Sequence, residues 1–180
     1  VLLASIKQVG FYDRQGEYYA LLLISAIGMM LLAAATDLIV LYVSLELSTL
    51  PLVALVAFQG DVRSSEAGLK FLLLAAFSSG LLLYGLTLLY GFVGSTNLST
   101  IGMYTGSLSG QEPFYASVLL LAVVFMLAGF GFKIAAIPFQ MWIPDVYEGA
   151  PTTVTSYLSV ASKAAGFAVI LRVFYMGLGS

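Results

Sequence analysis

Three ionisable residues lie far inside long apolar stretches of this sequence: Glu46, Lys133 and Lys163. A charged side chain at the centre of a bilayer costs roughly 3 kcal/mol on insertion scales, so such residues are functional by default. Burial disfavours the charged form of a lysine, whereas a neighbouring carboxylate favours it. A lysine that gains and loses such a partner can therefore bind and release a proton. The set predicts a proton relay, and the alternative is a group of structural ion pairs.

Three further residues could support such a relay. Pro51 cannot donate to the carbonyl of Leu47, which loosens the helix beside the glutamate and would admit water, although a simple kink is an equally good account. Ser162 directly precedes the last lysine and could carry a water chain, or else hydrogen-bond a neighbouring helix. Lys70 lies one helical turn after Glu66, so the two are expected to pair, and Lys70 is also a relay candidate.

The composition is that of an integral membrane protein. Of the 180 residues, 61% are hydrophobic and 9% are charged, and the mean hydropathy is +1.02; water-soluble domains are far more polar. The sequence has no cysteine and no histidine, which excludes thiol chemistry and leaves no ligand set for zinc, haem or iron–sulfur clusters. It has neither a nucleotide motif nor a signal peptide, and it begins with Val1. We therefore expect an internal piece of a longer membrane protein.

Five hydrophobic runs are long enough to cross a bilayer, which takes about 20 residues of helix. Residues 1–17 are predicted to form a polar connection on the cytoplasmic side, and residues 18–175 a repeat of five spans. The spans are predicted at about 18–36, 38–58, 69–93, 114–137 and 151–174. The second and third spans are followed by polar loops, at 59–66 and 94–113.

The fourth run predicts a discontinuous helix. Apolar residues continue to position 143, and a helix over 114–143 would be about 45 Å long, whereas the bilayer core is about 30 Å thick. Pro138 removes a backbone donor and should break the helix. We expect one piece to about 137 and a broken continuation to about 147, which places Lys133 deep in the membrane. The predicted fold class is an all-α integral membrane protein.

The charged loops predict the orientation in the membrane. One side of the predicted spans collects most of the basic residues: Lys7, Arg14, Arg63 and Lys70. Because positively charged loops stay in the cytoplasm, the first span should start there, and the loop at 94–113 should face outward.

Several longer motifs are specific to one family. They are GEYYALLL at 16–23, LYVSLELSTLPL at 41–52, GSTNL at 94–98, DVYEGAPT at 145–152 and SVASKAAGFAVILR at 159–172. Together they resemble the antiporter-like subunits of respiratory complex I and its relatives, and most of all the N-type subunit. The resemblance covers nearly the whole chain.

The resemblance implies a fold and a set of site residues. Such subunits contain two inverted repeats of five helices, each with one broken helix, and this chain looks like the first repeat. The family's glutamate corresponds to Glu46, the lysine on its broken helix to Lys133, and the lysine on the next helix to Lys163. Gln140 departs from the pattern, because many relatives have a histidine there.

The resemblance also implies a function. The chain is expected to belong to a proton-translocating membrane-arm subunit of a redox-driven oxidoreductase that passes electrons from NADH, or a related donor, to quinone. Lys133 would be the central proton carrier, Glu46 would pair and unpair with it, and Lys163 would pass protons on. No cofactor and no redox site are expected in this chain; flavin, iron–sulfur clusters and quinone are expected in partner subunits.

The expected partners are the other membrane-arm subunits, including neighbouring antiporter-like subunits, and the lipid bilayer, without nucleic acid. The expected location is the bacterial inner membrane, with a thylakoid or another energy-converting membrane as the alternative. Three other functions stay open. They are a subunit of a multi-subunit cation/proton antiporter, a subunit of a membrane-bound hydrogenase, and a membrane scaffold whose charges are structural pairs.

Overall fold

The computed structural model of this chain describes residues 1–10, 14–107 and 113–178. Within those ranges the regular elements are helices, and one isolated bridge joins Asp37 to Asn97. The helices are α1 (Leu2–Val9), α2 (Gln15–Ala34), α3 (Leu38–Val56), α4 (Val62–Val93), α5 (Leu98–Ser107), α6 (Pro113–Ile134), α7 (Ile143–Gly149), α8 (Thr152–Tyr157) and α9 (Lys163–Arg172), with π-helical turns at Leu158–Ser162 and Val173–Gly177.

Five helices of the described chain are long and apolar enough to cross a membrane. Four of them are α2, α3, α4 and α6, and the fifth runs continuously from α8 through α9 to Gly177. Helix α2 packs along α3, α4 packs along α6, and α9 contacts both α2 and α6. The predicted fold class is confirmed: this is an all-α integral membrane protein built as a five-helix bundle with one discontinuous helix.

One end of the bundle, which we name the Asp37 end, is closed by two paired connections. The Leu38 amide donates to the Thr96 carbonyl at 2.8 Å, and the Leu98 amide donates to the Thr36 carbonyl at 2.9 Å. These bonds join the connection between α2 and α3 to the connection between α4 and α5. The π-helical turn at the end of the fifth span packs on α5 at this same end.

The opposite end, which we name the Arg63 end, is joined by ion pairs. Arg63 in the first turn of α4 pairs with Glu148 in α7. Lys70, two turns further along α4, pairs with Asp145 in α7 at 3.1 Å. The short helix α7 is thereby held against the beginning of α4.

Two segments predicted to lack helix contain one. The predicted loop at 94–113 holds α5, because Gly94 ends α4 in the left-handed conformation (φ +74°) and Asn97 then caps a new helix by accepting from the Ser99 amide at 3.0 Å. The predicted polar connection at 1–17 holds α1, which is only 8 residues long and too short to register as a span.

Helix α4 begins at Val62, well before the predicted position 69. Asp61 caps it, since the Ser64 amide donates to the Asp61 carboxylate at 2.8 Å. Its 32 residues correspond to a length of about 48 Å, so its first turns extend beyond the roughly 30 Å bilayer core at the Arg63 end. A window chosen for hydrophobicity misses such an extension because the extra turns are polar.

The fourth span ends at Ile134, before the predicted position 137. Ala135 follows in the left-handed region (φ +59°). The Ala136 amide then donates to the Gly131 carbonyl at 2.8 Å, and the Ala135 amide to the Phe132 carbonyl at 3.1 Å. These two bonds form a Schellman motif, which satisfies carbonyls that the end of a helix would otherwise leave without a donor.

Pro138 accounts for why this helix does not continue. A continuing helix would place the Pro138 ring against the carbonyl of Ile134 and would leave that carbonyl without an amide donor. The helix therefore ends ahead of the proline, and the chain turns through a cis peptide bond between Ile137 and Pro138. It becomes helical again at Ile143, where Pro144 occupies the first turn of α7. The predicted break is thus present, several residues earlier than expected.

Candidate functional site

Lys133 lies in the last turn of α6, and only 7% of the residue is exposed. Its ammonium donates to the hydroxyls of Ser48 at 2.9 Å and Thr49 at 2.8 Å, both on α3. Each hydroxyl donates a hydrogen bond to the Leu45 carbonyl at 2.7 Å, so its lone pairs face the lysine. The ammonium is thus bound by two neutral groups about halfway along α3.

Glu46 lies on α3 near this lysine but does not contact it directly. Among the described residues, the ion pairs within 4.0 Å all lie at the Arg63 end and do not include Lys133. The Glu46 carboxylate instead accepts a hydrogen bond from the Ser79 hydroxyl on α4. The expected direct pairing of Glu46 with Lys133 is therefore not present in this conformation.

A small cavity lies between the two groups. Glu46 and Lys133 both line it, and its volume is about 20 Å³, which is room for roughly one water molecule. The other lining residues with polar side-chain groups are Thr49, Ser78, Ser79, Trp142 and Ser162. A water molecule there would have several hydrogen-bonding partners, so the cavity can join the carboxylate to the lysine without direct contact.

Pro51 lies one turn beyond the hydroxyls that bind the lysine. The helix continues through it to Val56. Helix α2 packs closely beside the Leu47 carbonyl, which Pro51 leaves without an amide donor. The Ser25 hydroxyl donates to the Ser48 carbonyl at 2.9 Å, and a Cβ added at Gly28 would lie 2.5 Å from the Ser48 nitrogen. Contact with α2 therefore fixes the part of α3 that binds Lys133.

The fifth span contributes Ser162 to the cavity, but Lys163 is not among the residues that line it. Lys163 is half-buried, and its side chain makes no hydrogen bond or ion pair with the described residues. A π-helical turn directly precedes it; such turns often mark functional sites in helices. One turn later, a Cβ added at Gly166 would lie 3.3 Å from Cγ of Lys133, so α9 passes close beside the buried lysine.

Lys70 does not belong to this cavity. Its ammonium pairs with Glu66 at 2.7 Å, as the spacing predicts, and with Asp145 at 3.1 Å. Its side chain is 44% exposed. Exposed pairs of this kind contribute little to stability because water screens them. The structure thus places Lys70 in a network at the Arg63 end, away from Glu46 and Lys133.

The chain reversal after α6 covers the cavity with aromatic rings. The Trp142 indole donates to the Phe132 carbonyl at 3.3 Å and stacks on Phe71, with ring centroids 5.0 Å apart. Nearby, the Gln140 side-chain oxygen and the Tyr147 hydroxyl are buried and lack a hydrogen-bond partner in the described part of the chain. Pro138 is exposed on the outer side of this cover.

Several site residues were not predicted, and they share a property: each is an uncharged hydroxyl residue on α2, α3 or α4. They are Ser25, Tyr42, Ser48, Thr49, Ser78 and Ser79. One signal was available in the sequence, because Tyr42 and Glu46 lie four residues apart and must share a helix face. The remaining contacts join residues far apart in the chain, which spacing alone does not reveal.

The fold and the site define a class: integral membrane proteins in which an interrupted helix brings a buried lysine to the middle of a neighbouring membrane-spanning helix that also carries a carboxylate. The chain belongs to the NADH:quinone oxidoreductase/Mrp antiporter transmembrane family, whose profile matches residues 35–179. The resemblance proposed from its motifs is therefore confirmed.

Individual relatives agree with this assignment. The chain is 50% identical over 177 residues to a protein of Dehalococcoides mccartyi named NADH-quinone oxidoreductase subunit N, which corresponds to 97% of this chain and 36% of that protein. It thus spans about a third of the length of the curated relatives it matches.

Solved structures share the fold. A chain of respiratory complex I from Thermus thermophilus superposes with a TM-score of 0.76 at 40% identity, over 96% of this chain and 38% of the other. A chain of the Mrp complex from Dietzia superposes with a TM-score of 0.75 at 22% identity, over 87% of this chain and 29% of the other. The second likeness concerns the fold alone.

Proposed function

We propose that this chain is the first proton-translocating repeat of a membrane-arm subunit in a redox-driven NADH, or related donor, quinone oxidoreductase. Three observations support the proposal: the family, the name shared by its relatives, and the geometry around Lys133. In this proposal Lys133 is the central proton carrier, Glu46 supplies the charge that biases it, and Lys163 passes protons toward the second half of the subunit.

The observation that carries the proposal is how the lysine is bound. Its ammonium lies at mid-membrane depth on two hydroxyls, next to a cavity shared with a carboxylate. Hydroxyls can accept from an ammonium and can equally donate to a neutral amine, so Ser48 and Thr49 can bind either form of Lys133. A purely structural ion pair would require a carboxylate in direct contact.

The interrupted helix gives this lysine freedom to change its surroundings. Lys133 lies within the Schellman motif that ends α6, and backbone without helical bonds is tolerated at this depth only where it is buried in protein or lines water. A shift of the following turn would alter the hydration of the cavity. Electron transfer in partner subunits, which would hold the flavin, iron–sulfur clusters and quinone, is proposed to bias that shift.

The proposal is tested by replacing Lys133 with methionine in the complete enzyme complex. Methionine fills a similar volume without a charge, so assembly should persist while donor-driven proton uptake into inverted membrane vesicles falls severalfold. Quinone reduction is followed in the same samples, and its parallel fall would indicate tight coupling. Lys70→Met is the matched control, because Lys70 forms only exposed ion pairs, and it should pump at nearly the normal rate.

Normal pumping by an assembled Lys133→Met complex would contradict the proposal. If that variant fails to assemble, Lys133→Arg takes its place, since arginine retains the charge but does not release its proton. An assembled arginine variant that pumps normally would exclude a carrier role. Proton uptake that depends on sodium and needs no electron donor would indicate a cation/proton antiporter instead.

A further inference from the structure

The Glu46 carboxylate is hydrogen-bonded to a chain of hydroxyls that does not include those binding Lys133. Its carboxylate accepts from Ser79 on α4. The Ser79 oxygen lies 3.0 Å from the hydroxyl of Tyr42, which is one turn before Glu46 on α3. Ser79 is placed to donate to either oxygen, but it has a single proton, so when it donates to the carboxylate its oxygen can accept from Tyr42. The order of donation in that state is Tyr42 to Ser79 to Glu46.

Tyr42 also forms the inner wall of a groove on the side of the bundle. The groove lies between α3 and α4 and has a volume of about 410 Å³. Besides Tyr42, its polar lining residues are Thr87, Tyr90 and Thr96. Because Thr96 belongs to the connection at the Asp37 end, the groove extends from that end of the bundle toward the middle of α3.

The two hollows meet at this hydroxyl pair. Ser79 lines the buried cavity together with Lys133, and Tyr42 lines the groove. Tyr42 is not among the residues of the cavity, and Ser79 is not among those of the groove. Their 3.0 Å contact is thus a hydrogen-bonded link between the buried cavity and the groove that reaches the Asp37 end.

We propose that Ser79 and Tyr42 relay protons between Glu46 and the groove, and thereby link the buried cavity to the Asp37 end of the bundle. This inference rests on the proposed function. In one passage, Ser79 gives its proton to the Glu46 carboxylate, Tyr42 gives its proton to Ser79, and a water molecule in the groove protonates Tyr42. The groove loses one proton, Glu46 gains one, and both hydroxyls are restored.

Helix α4 offers a matched control for each residue. Ser65 is an exposed serine that lines neither the cavity nor the groove. Tyr84 is an exposed tyrosine whose ring packs on Phe125, and it lines neither of them. Ser79→Ala is therefore compared with Ser65→Ala, and Tyr42→Phe with Tyr84→Phe, in the complete complex.

Two measurements are made on each variant. The first is the number of protons taken up per quinone reduced, measured in ordinary and in heavy water. We expect this ratio to fall at least threefold in Ser79→Ala and Tyr42→Phe and to stay near normal in both controls. The second is the infrared absorption of the Glu46 carboxyl group, assigned by its loss in Glu46→Gln. Its bands should shift in Ser79→Ala and Tyr42→Phe only.

The outcomes separate this inference from the proposed function. If the Glu46 bands shift but proton uptake is unchanged, the hydroxyls only hold the carboxylate, and the relay is wrong. If the bands do not shift, the bonding chain itself is wrong. If Lys133→Met pumps normally while Ser79→Ala does not, the relay stands and the carrier role of Lys133 fails. If Ser79→Ala does not assemble, Tyr42→Phe, which removes a single oxygen, decides.

Discussion

Two residues without a charge, Ser48 and Thr49, determine how the ammonium of Lys133 is bound. Helix α6 positions Lys133, but Thr49 and Ser48 orient its ammonium, and their hydroxyls in turn donate hydrogen bonds to the Leu45 carbonyl. A buried ammonium that loses an acceptor is less well compensated for its lost hydration. The two hydroxyls are therefore expected to contribute to stability as well as to proton transfer.

Replacing Thr49 with valine should destabilise the subunit by about 1–3 kcal/mol, because the ammonium then lacks one of two acceptors. The measurement is thermal denaturation of the purified complex, followed by loss of this subunit from it. Thr49→Ser, which keeps the hydroxyl, is the control and should behave much like the unchanged protein. Equal stability of the valine and serine variants would show that the hydroxyl does not bind the ammonium.

Among individual residues, the charged ones were easier to predict from the sequence than the uncharged residues that bind them. Glu46, Lys133 and Ser162 were predicted site residues, and the structure places all three at one cavity. Lys163 and Lys70 do not line that cavity. Uncharged partners such as Ser79 could not be predicted, since serine is common in membrane helices and its role here depends on which helix lies opposite.

At the scale of the elements, the Asp37 end shows how a short motif organises two helices. The segment 94–98 ends α4 at Gly94, binds Asp37 through Thr96, and begins α5 at Leu98, which is fully buried. Asp37 also caps α3, since the Ile39 amide donates to its carboxylate at 2.8 Å. A single carboxylate thus joins the start of α3 to the segment that follows α4.

This arrangement predicts a pH dependence. The hydrogen bond from Thr96, with those from the amides of Ile39 and Val40, lowers the pKa of the Asp37 carboxyl below its usual value of 3.8. A carboxyl whose pKa is lower in the folded state stabilises that state above its unfolded pKa, and this contribution disappears as the pH falls through the folded value. The paired connections should therefore weaken only below about pH 4.

The measurement is hydrogen exchange of the Leu38 and Leu98 amides in the complete complex, corrected for the intrinsic effect of pH. Their protection should decline on acidification below about pH 4 in the unchanged protein. Asp37→Asn keeps the helix cap but accepts a weaker hydrogen bond from Thr96. It should thus show lower protection at neutral pH and no acid-dependent decline; equal protection of both proteins at neutral pH would contradict the assignment.

The discontinuous helix was predictable in kind but not in detail. The length of the fourth run and Pro138 were sufficient to predict a break. The exact end at Ile134 depends on Ala135 adopting a left-handed conformation, which costs an alanine about 1–2 kcal/mol and is not suggested by its residue type.

For the whole molecule, the ion pairs and the basic residues are concentrated at the Arg63 end. Arg63 and Lys70 both lie there, and both pair with α7. The Asp37 end carries Arg172, which donates to the Ala34 carbonyl at 3.2 Å. By the positive-inside rule the Arg63 end should face the cytoplasm, so the groove lined by Tyr42 should open toward the opposite side of the membrane.

The orientation can be tested by single-cysteine labelling, because the 180 residues contain no cysteine. Ser65 near the start of α4 and Ser99 near the start of α5 are both exposed and lie at opposite ends of the bundle, so Ser65→Cys and Ser99→Cys form a matched pair. Any cysteine elsewhere in the full subunit is first replaced.

In inverted vesicles a membrane-impermeant maleimide should label Ser65→Cys and leave Ser99→Cys unlabelled. Right-side-out vesicles should give the opposite pattern, and detergent should expose both sites. Labelling of Ser99→Cys in inverted vesicles would reverse the orientation, and the groove at the Asp37 end would then open to the cytoplasm and could supply protons to Glu46 from that side.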